Sequence, residues 1–502
     1  MLFETFLVLL LSFHNYKCDN VSTSPNIVFI LADDIGYNDV GYHNPRIITP
    51  NIDNLALSGI RLEQHYAQFQ CTPSRAALMT ARYPFRYGRQ RAVLRGTQPT
   101  GLSLDYKLLP QYFQDLGYDT HLVGKWHLGF CHPSYLPTNR GFHSHYGFWN
   151  AEEDYYSKRA LDWASIYGYD FHDNLKTTRE PSGTYSTFVY AEKVKEILTT
   201  HRNNDKSSPF FLLLAPQSAH TPLEAPDYYI KKYQNISDHN RRVFSAMVTA
   251  LDDLVGNVTT SLVESDFYNN TILIFVSDNG GATLEGGNNL PLRGEKTTLF
   301  EGGTLVPAFI HSPLLTKVGH ESYQMMHITD WLPSLVTAVG VADDFMENEE
   351  SDMDGMDIWK SIVSDTVSPR VEIVYNIDDV KDGGKPIAAL RQGDWKIVQR
   401  PNGNDDWIEE PISNTVKQPR PAPPPPVPSN HTYLFNILED PEERIDLSDV
   451  YPDIVDSLVK RIDELALDLV EADNPDTVFA GHPINFGMEW ATGWCNVSNY
   501  MN

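Results

Sequence analysis

Basic residues are in short supply. The 502-residue chain carries 39 Lys and Arg against 66 Asp and Glu, a formal net charge of −27, and its isoelectric point lies near 4.9. That balance excludes binding of a polyanion through a general basic surface, so an anionic ligand must be met by a local basic pocket. The same acidity suits an acidic compartment. Long apolar runs are also missing: the run at residues 2–13 is too short to span a bilayer, and no later one is long enough. There is no internal repeat and no nucleic-acid motif. Cysteine is scarce, with only Cys18, Cys71, Cys131 and Cys495, which excludes a disulfide-dense scaffold. The length allows one large α/β domain plus a smaller one.

What is present begins with the apolar stretch Leu2–Phe13, interrupted by Glu4 and Thr5. It has the length of a secretory signal core, and residues 1–20 are assigned to a signal peptide cut between His14 and Ser24. Six N-x-S/T sequons, at Asn20, Asn235, Asn257, Asn269, Asn430 and Asn496, fit a glycosylated secretory or lysosomal protein.

Three apolar runs rich in β-branched or bulky residues read as buried strands: Asn26–Ala32, Pro209–Ala215 and Thr271–Ser277. Each delivers polar groups at its carboxyl end, the edge where open α/β sheets place their sites. The first ends in Asp33-Asp34, the second leads to His220 before Pro222, and the third ends in Asp278-Asn279-Gly280-Gly281. Alone, the acids could be solvated loop starts and His220 a structural loop residue. Together, three carboxylates and an amide oxygen make a donor set for a hard divalent cation, Ca²⁺ or Mg²⁺.

The stretch Cys71-Thr-Pro-Ser-Arg-Ala-Ala-Leu-Met-Thr-Ala-Arg82 suits a helix start, with Cys71 just ahead of the helix and Pro73 and Ser74 in its opening positions. Donors and dipole at such an end favour an anionic group. Read by itself, Cys71 is a buried cysteine or a thiolate nucleophile of the Cys-His type. Further on, Thr120–Val123 reads as a strand running into Gly124-Lys125-Trp126-His127-Leu128-Gly129, where an extended backbone would point Lys125 and His127 the same way. Lys296 follows in Arg293-Gly294-Glu295-Lys296. Without further context these residues read as surface or loop groups.

The C-T-P-S-R-A-A-L-M-T-A-R and G-K-W-H-L-G segments resemble the two signatures of the sulfatase family, and the likeness runs from about Asn26 to Leu458. Within that family the segments Lys125–Phe142 and Gly280–Lys296 are most similar to the arylsulfatase B group. The resemblance implies that Cys71 is oxidised to formylglycine (3-oxoalanine) by a formylglycine-generating enzyme. It implies one Ca²⁺ held by Asp33, Asp34, Asp278, Asn279 and residue 71. It makes Lys125, Lys296 and Arg75 the cations that face the sulfate, His127 the partner of the formylglycine hydroxyl, and His220 a sulfate-ester contact and proton donor to the leaving oxygen. The implied activity is hydrolysis of a sulfate ester through a formylglycine hydrate and a sulfated enzyme. The implied substrate is the 4-sulfate of N-acetylgalactosamine in glycosaminoglycans, or a small aryl sulfate; the signal-like start and the sequons place the expected location in the lysosome or the extracellular space. A phosphatase or phosphodiesterase of the same superfold would use Ser or Thr beside His-rich zinc sites. A sulfated-glycan-binding relative without activity would lack a key residue; all ten are present.

The expected fold is α/β, an alkaline-phosphatase-like, mostly parallel mixed sheet between helices over residues 24–365. A smaller domain over 366–502 is expected to hold a short antiparallel sheet and one long helix. Helices are predicted over Asn51–Ser58, Leu108–Leu116, Asn240–Glu264, His327–Val336 and Pro452–Val470, and further strands over His65–Phe69 and Thr304–Ile310. The small sheet is expected from Val371–Tyr375, Ala388–Arg391, Trp395–Gln399 and Tyr433–Asn436, and the proline-rich run 419–428 as an extended surface loop. With Cys71 converted and Cys18 lost with the signal, Cys131 and Cys495 remain as one possible disulfide; with Cys18 kept, one of the three is left over.

Overall fold

The computed structural model describes residues 24–162, 165–204, 208–341, 352–378, 386–401, 403, 405–411 and 431–496. The signal segment, Cys18, Asn20, Asn430 and the proline-rich run 419–428 lie outside these residues.

The three apolar runs form the middle of a ten-stranded mixed sheet. Its order is His320–Ser322, Ile60–Leu62, Ala308–His311, Thr271–Ser277, Asn26–Ala32, Phe210–Ala215, Asp119–Lys125, Ser144–Phe148, His172–Asp173 and Lys176–Thr177. The five strands from Thr271–Ser277 to Ser144–Phe148 run parallel, and antiparallel partners flank them on both sides. Strand Asn26–Ala32 shows why the runs are continuously apolar. Successive side chains point to opposite faces, and both faces are covered. Ile27, Phe29 and Leu31 enter one core with Ala76 and Ala77 of helix Cys71–Thr80 and with Trp331. Val28, Ile30 and Ala32 enter the other with Val194 of helix Ser186–Asn203 and Leu251 and Leu254 of helix His239–Glu264.

The strands Glu372–Asp378, Ile387–Gln392, Trp395–Gln399 and Thr432–Asn436 make a separate antiparallel sheet in that order. One face packs Val374, Leu390, Ile397 and Leu434 on Leu458, Ile462 and Leu465 of helix Pro452–Leu465. Burying such a side chain contributes about 1.5–3 kcal/mol. The other face packs Ile373, Tyr375, Val398 and Phe435 on Tyr66, Phe300 and Leu305 of the large unit. Cys131 and Cys495 form a disulfide that joins positions 364 residues apart with Cα atoms 5.4 Å from each other. Among the described residues no helix is long and apolar enough to cross a membrane.

Several local expectations shift. The Cys71 helix spans Cys71–Thr80 with Gln70 as its cap, so Cys71 opens the first turn rather than preceding it. The Ser74 amide closes that turn on the Gln70 carbonyl at 3.1 Å. Pro73 is tolerated there because amides of the first turn have no intrahelical partner. The strand after Ile60–Leu62 is only His65–Tyr66. Ala308–His311 starts later than expected, because Glu301–Thr304 winds into a helical turn. The last long helix stops at Leu465 and continues as a short 3-10 turn, Ala466–Asp468.

Candidate active site

The carboxyl ends of the central strands are tied to each other by backbone. The Asp33 amide donates to the Ser218 carbonyl at 3.0 Å, the Ala219 amide to the Asp33 carbonyl at 2.7 Å, and the Asp278 amide to the Ala32 carbonyl at 3.0 Å. The side chains that follow therefore emerge into one small volume. One donor atom each from Asp33, Asp34, Cys71 and His220 lies within 4.8 Å of the others. Asp33, Asp34, Cys71, Asp278 and Asn279 are all buried.

Each carboxylate faces a cation. Lys125 Nζ lies 2.6 Å from Asp33 Oδ2 and Lys296 Nζ 2.8 Å from Asp34 Oδ2. Arg75 grips Asp278 Oδ2 through Nε at 3.0 Å and Nη2 at 2.8 Å, with Asp33 Oδ2 3.6 Å away. Burial favours neutral carboxyls, but Lys296 and His220 outweigh it at Asp34 and hold that group well below the usual carboxylate range. At Asp33 and Asp278 burial wins, and both are raised. Burial also opposes ionisation of Cys71, yet Lys125 and Lys296 bring the thiol down to about 7. Its sulfur lies 3.6 Å from Asp33 Oδ1.

One atom in particular makes the donor set fit a hard divalent cation. Asn279 Nδ2 donates to Asp34 Oδ1 at 2.8 Å, while Asn279 Oδ1 is buried with no hydrogen-bond partner among the described residues. A buried amide oxygen left unsatisfied beside three carboxylates is what an oxygen-ligated ion would complete. The loop that carries it is seated by small residues. A Cβ at Gly280 would stand 1.9 Å from the Gly302 carbonyl oxygen.

The two histidines are held differently. The strand ends at Lys125, and His127 adopts a left-handed backbone with φ +58°. The expected extended Lys-x-His alternation is thus replaced by a turn, which still buries both side chains. His127 Nε2 lies 3.0 Å from the Leu94 carbonyl oxygen, which can only accept, so Nε2 carries the hydrogen and Nδ1 the lone pair. Nδ1 is buried without a hydrogen-bond partner among the described residues. Burial, with Lys125 and Arg75 nearby, pushes this imidazole well below its ordinary value and keeps it neutral. His220 Nδ1 donates to the Thr221 carbonyl at 3.0 Å, and its Nε2 faces Asp34 Oδ2 at 3.8 Å. Burial and Lys296 lower it, but Asp34 and Asp33 prevail and raise it to about 9.

All ten residues expected from sequence converge here. Sequence reasoning did not find the Leu94 carbonyl, whose role depends on a contact across 33 positions. It also did not find Glu152, which accepts from the Thr221 hydroxyl at 3.0 Å and lies 3.8 Å from His220 Nδ1.

Comparison with known proteins supplies the family. The family model described as Sulfatase matches residues 25–341. Arylsulfatase J of Mus musculus is 40% identical over 471 residues, covering 88% of this chain and 76% of that protein. N-acetylgalactosamine-6-sulfatase of Mus musculus is 27% identical over 524 residues, covering 97% and 94%. The crystal structure of Ps i-CgsB in complex with k-i-k-neocarrahexaose superposes with a TM-score of 0.76 at 28% identity, over 93% of this chain and 97% of that one. The chain therefore belongs to the sulfatase family and is a sulfuric ester hydrolase.

Proposed function

We propose that this sulfatase acts through a formylglycine formed from Cys71, with one Ca²⁺ held by Asp33, Asp34, Asp278, Asn279 and residue 71. The observation that carries the reading is the unpartnered Asn279 Oδ1 set among buried carboxylates, beside Cys71 and three cations. The cation, when bound, supplies Lewis-acid stabilisation of oxygen charge, and the formylglycine hydrate supplies the attacking hydroxyl.

The chain's own groups do the rest. Lys125, Lys296 and Arg75 neutralise the sulfuryl oxygens, and each of these buried cations faces a carboxylate. His127 Nδ1 accepts a proton, because its other nitrogen is committed to Leu94. His220, held by Thr221 and charged by its acidic neighbours, gives a proton from Nε2 to the departing oxygen. Burial of the cluster excludes bulk water from these transfers.

The substrate proposed is the 4-sulfate of N-acetylgalactosamine in a glycosaminoglycan, with small aryl sulfates as poorer substrates. The likeness of Lys125–Phe142 and Gly280–Lys296 to the arylsulfatase B group supports it. So does a relative named for a sulfate of the same sugar, and a structural neighbour that holds an oligosaccharide. A secretory route to the lysosome or the extracellular space, with a formylglycine-generating enzyme met on the way, is supported by the sequons. The four described acceptors, Asn235, Asn257, Asn269 and Asn496, are all exposed.

The test is a mass spectrum of the Cys71 peptide from a secretory host, paired with turnover of a sulfated disaccharide panel. The expected peptide is about 18 Da lighter than the cysteine form, as thiol-to-aldehyde oxidation requires. The 4-sulfate is expected to turn over fastest. A free thiol in fully active enzyme, or faster cleavage of a 6-sulfate or glucosamine sulfate, overturns the respective part.

A further inference from the structure

The small sheet and the Asp278–Gly281 loop are connected through a buried polar cluster that the chemistry above does not use. Lys396, in strand Trp395–Gln399, is fully buried, and its Nζ lies 2.8 Å from Glu301 Oε1 and 2.8 Å from Glu443 Oε1. Glu301 also accepts from Tyr66 Oη at 2.8 Å and from Tyr375 Oη at 3.1 Å. Arg391 of the neighbouring strand donates to the Tyr66 hydroxyl at 2.6 Å. Glu443 Oε2 accepts the backbone N–H of Glu301 at 2.7 Å, so a carboxylate from the C-terminal unit caps the turn Glu301–Thr304.

That turn touches both halves of the active site. On one side the Gly280 amide donates to the Gly303 carbonyl at 3.0 Å, and the Gly280 Cα packs on the Gly302 carbonyl with no room for a side chain. Gly280 follows Asn279 directly. On the other side the Gly302 amide donates to the Arg293 carbonyl at 2.7 Å, three residues before Lys296. These contacts are backbone on backbone. A displacement of the turn therefore reaches the Asn279 amide and the Lys296 segment without side chains to absorb it.

The turn's place depends in turn on charge. Two carboxylates this close in a dry interior repel unless a cation stands between them, and removing the cation leaves them uncompensated. We propose that Lys396, Glu301 and Glu443 are positioning residues of the cation site, through which the C-terminal sheet sets the Ca²⁺ affinity of the Asp278–Gly281 loop. The proposal rests on the Ca²⁺ reading given above. Partners behind a metal ligand typically change affinity by about 10–100-fold.

The experiment is calorimetric titration of Ca²⁺ into chelator-stripped full-length protein, with kcat and KM measured as a function of Ca²⁺. Wild type is expected to take up one Ca²⁺ per chain. Glu443→Gln keeps an acceptor for the Glu301 amide and removes only charge, and Tyr375→Phe removes one hydroxyl. Both are expected to retain the wild-type circular dichroism, to bind Ca²⁺ roughly tenfold more weakly, and to recover kcat in excess Ca²⁺ with KM unchanged. Lys396→Met is expected to weaken binding by about 100-fold; should it fail to fold, the two milder variants decide. Folded variants with wild-type Ca²⁺ affinity overturn the proposal, as does an activity loss that excess Ca²⁺ does not restore. Wild-type protein that binds no Ca²⁺ overturns the metal reading itself, and this inference with it.

Discussion

His127 donates from Nε2 to the carbonyl of Leu94 at 3.0 Å, and this single bond decides which of its nitrogens can take a proton. Because Nδ1 is left buried, neutral and unpartnered, His127→Ala is expected to lower kcat by roughly 10²–10⁴. KM and the circular dichroism spectrum should stay near wild type. Steady-state kinetics check this, and a loss below tenfold would remove His127 from proton transfer.

Cys71→Ser offers one hydroxyl at the head of the same helix. Serine places it beside Lys125 and Asp33, where Cys71 Sγ now lies 3.6 Å from the Asp33 carboxylate. One hydroxyl can attack sulfur, but no second one remains to expel the sulfate. The expected result is at most one turnover, with sulfate retained on residue 71. Rapid quench with radiolabelled ester reads it; sustained turnover near the native rate would mean that water attacks sulfur directly.

Asp252 should contribute more to stability at pH 5 than at pH 7. Asp252 is buried, accepts the Ile52 amide at 2.7 Å and Asn51 Nδ2 at 2.8 Å, and burial raises its carboxyl to about 6. Asp39, buried against Arg241, is raised to about 6 as well. A carboxyl raised in the folded state binds its proton more tightly there than in the unfolded chain. Its contribution is complete below pH 3.8 and is lost as pH climbs through about 6. For Asp252 the change between pH 7 and pH 5 is about 1 kcal/mol. In Asp252→Asn the stability at pH 5 minus that at pH 7, read from urea unfolding, should be about 1 kcal/mol lower than in wild type; an unchanged value would show that Asp252 carries none of the pH dependence.

The Cys131–Cys495 disulfide closes a loop of 364 residues. Its removal by Cys131→Ser is expected to cost about 2–5 kcal/mol. Trp494 and Cys495, which donate their amides to the Cys131 carbonyl, should become the first site of proteolysis. Urea unfolding and limited digestion check both, and an unchanged unfolding midpoint would make the bond energetically silent.

Much of the framework is written locally. Asn26–Ala32 and Thr271–Ser277 have the bounds that their apolar runs imply, because burial on both sheet faces demands unbroken apolarity. The acids at their ends stand out for the same reason, as charge directly after a buried strand. Helix ends were less legible: Cys71 belongs to its helix because the Gln70 carbonyl meets the Ser74 amide, which no residue type announces.

What only tertiary structure decided are relations between distant, locally ordinary residues. Sequence names His127, yet its free nitrogen is set by Leu94. Sequence shows Lys396 only as a polar residue in the short strand Trp395–Gln399, yet its partners Glu301 and Glu443 come from other parts of the chain. Sequence leaves Cys131 more than one pairing, and the fold brings Cys495 to it. Periodicity and motif spacing report which face of a local element is buried. They carry no record of which distant carbonyl or carboxylate will meet it there, since that is fixed by how the two sheets pack.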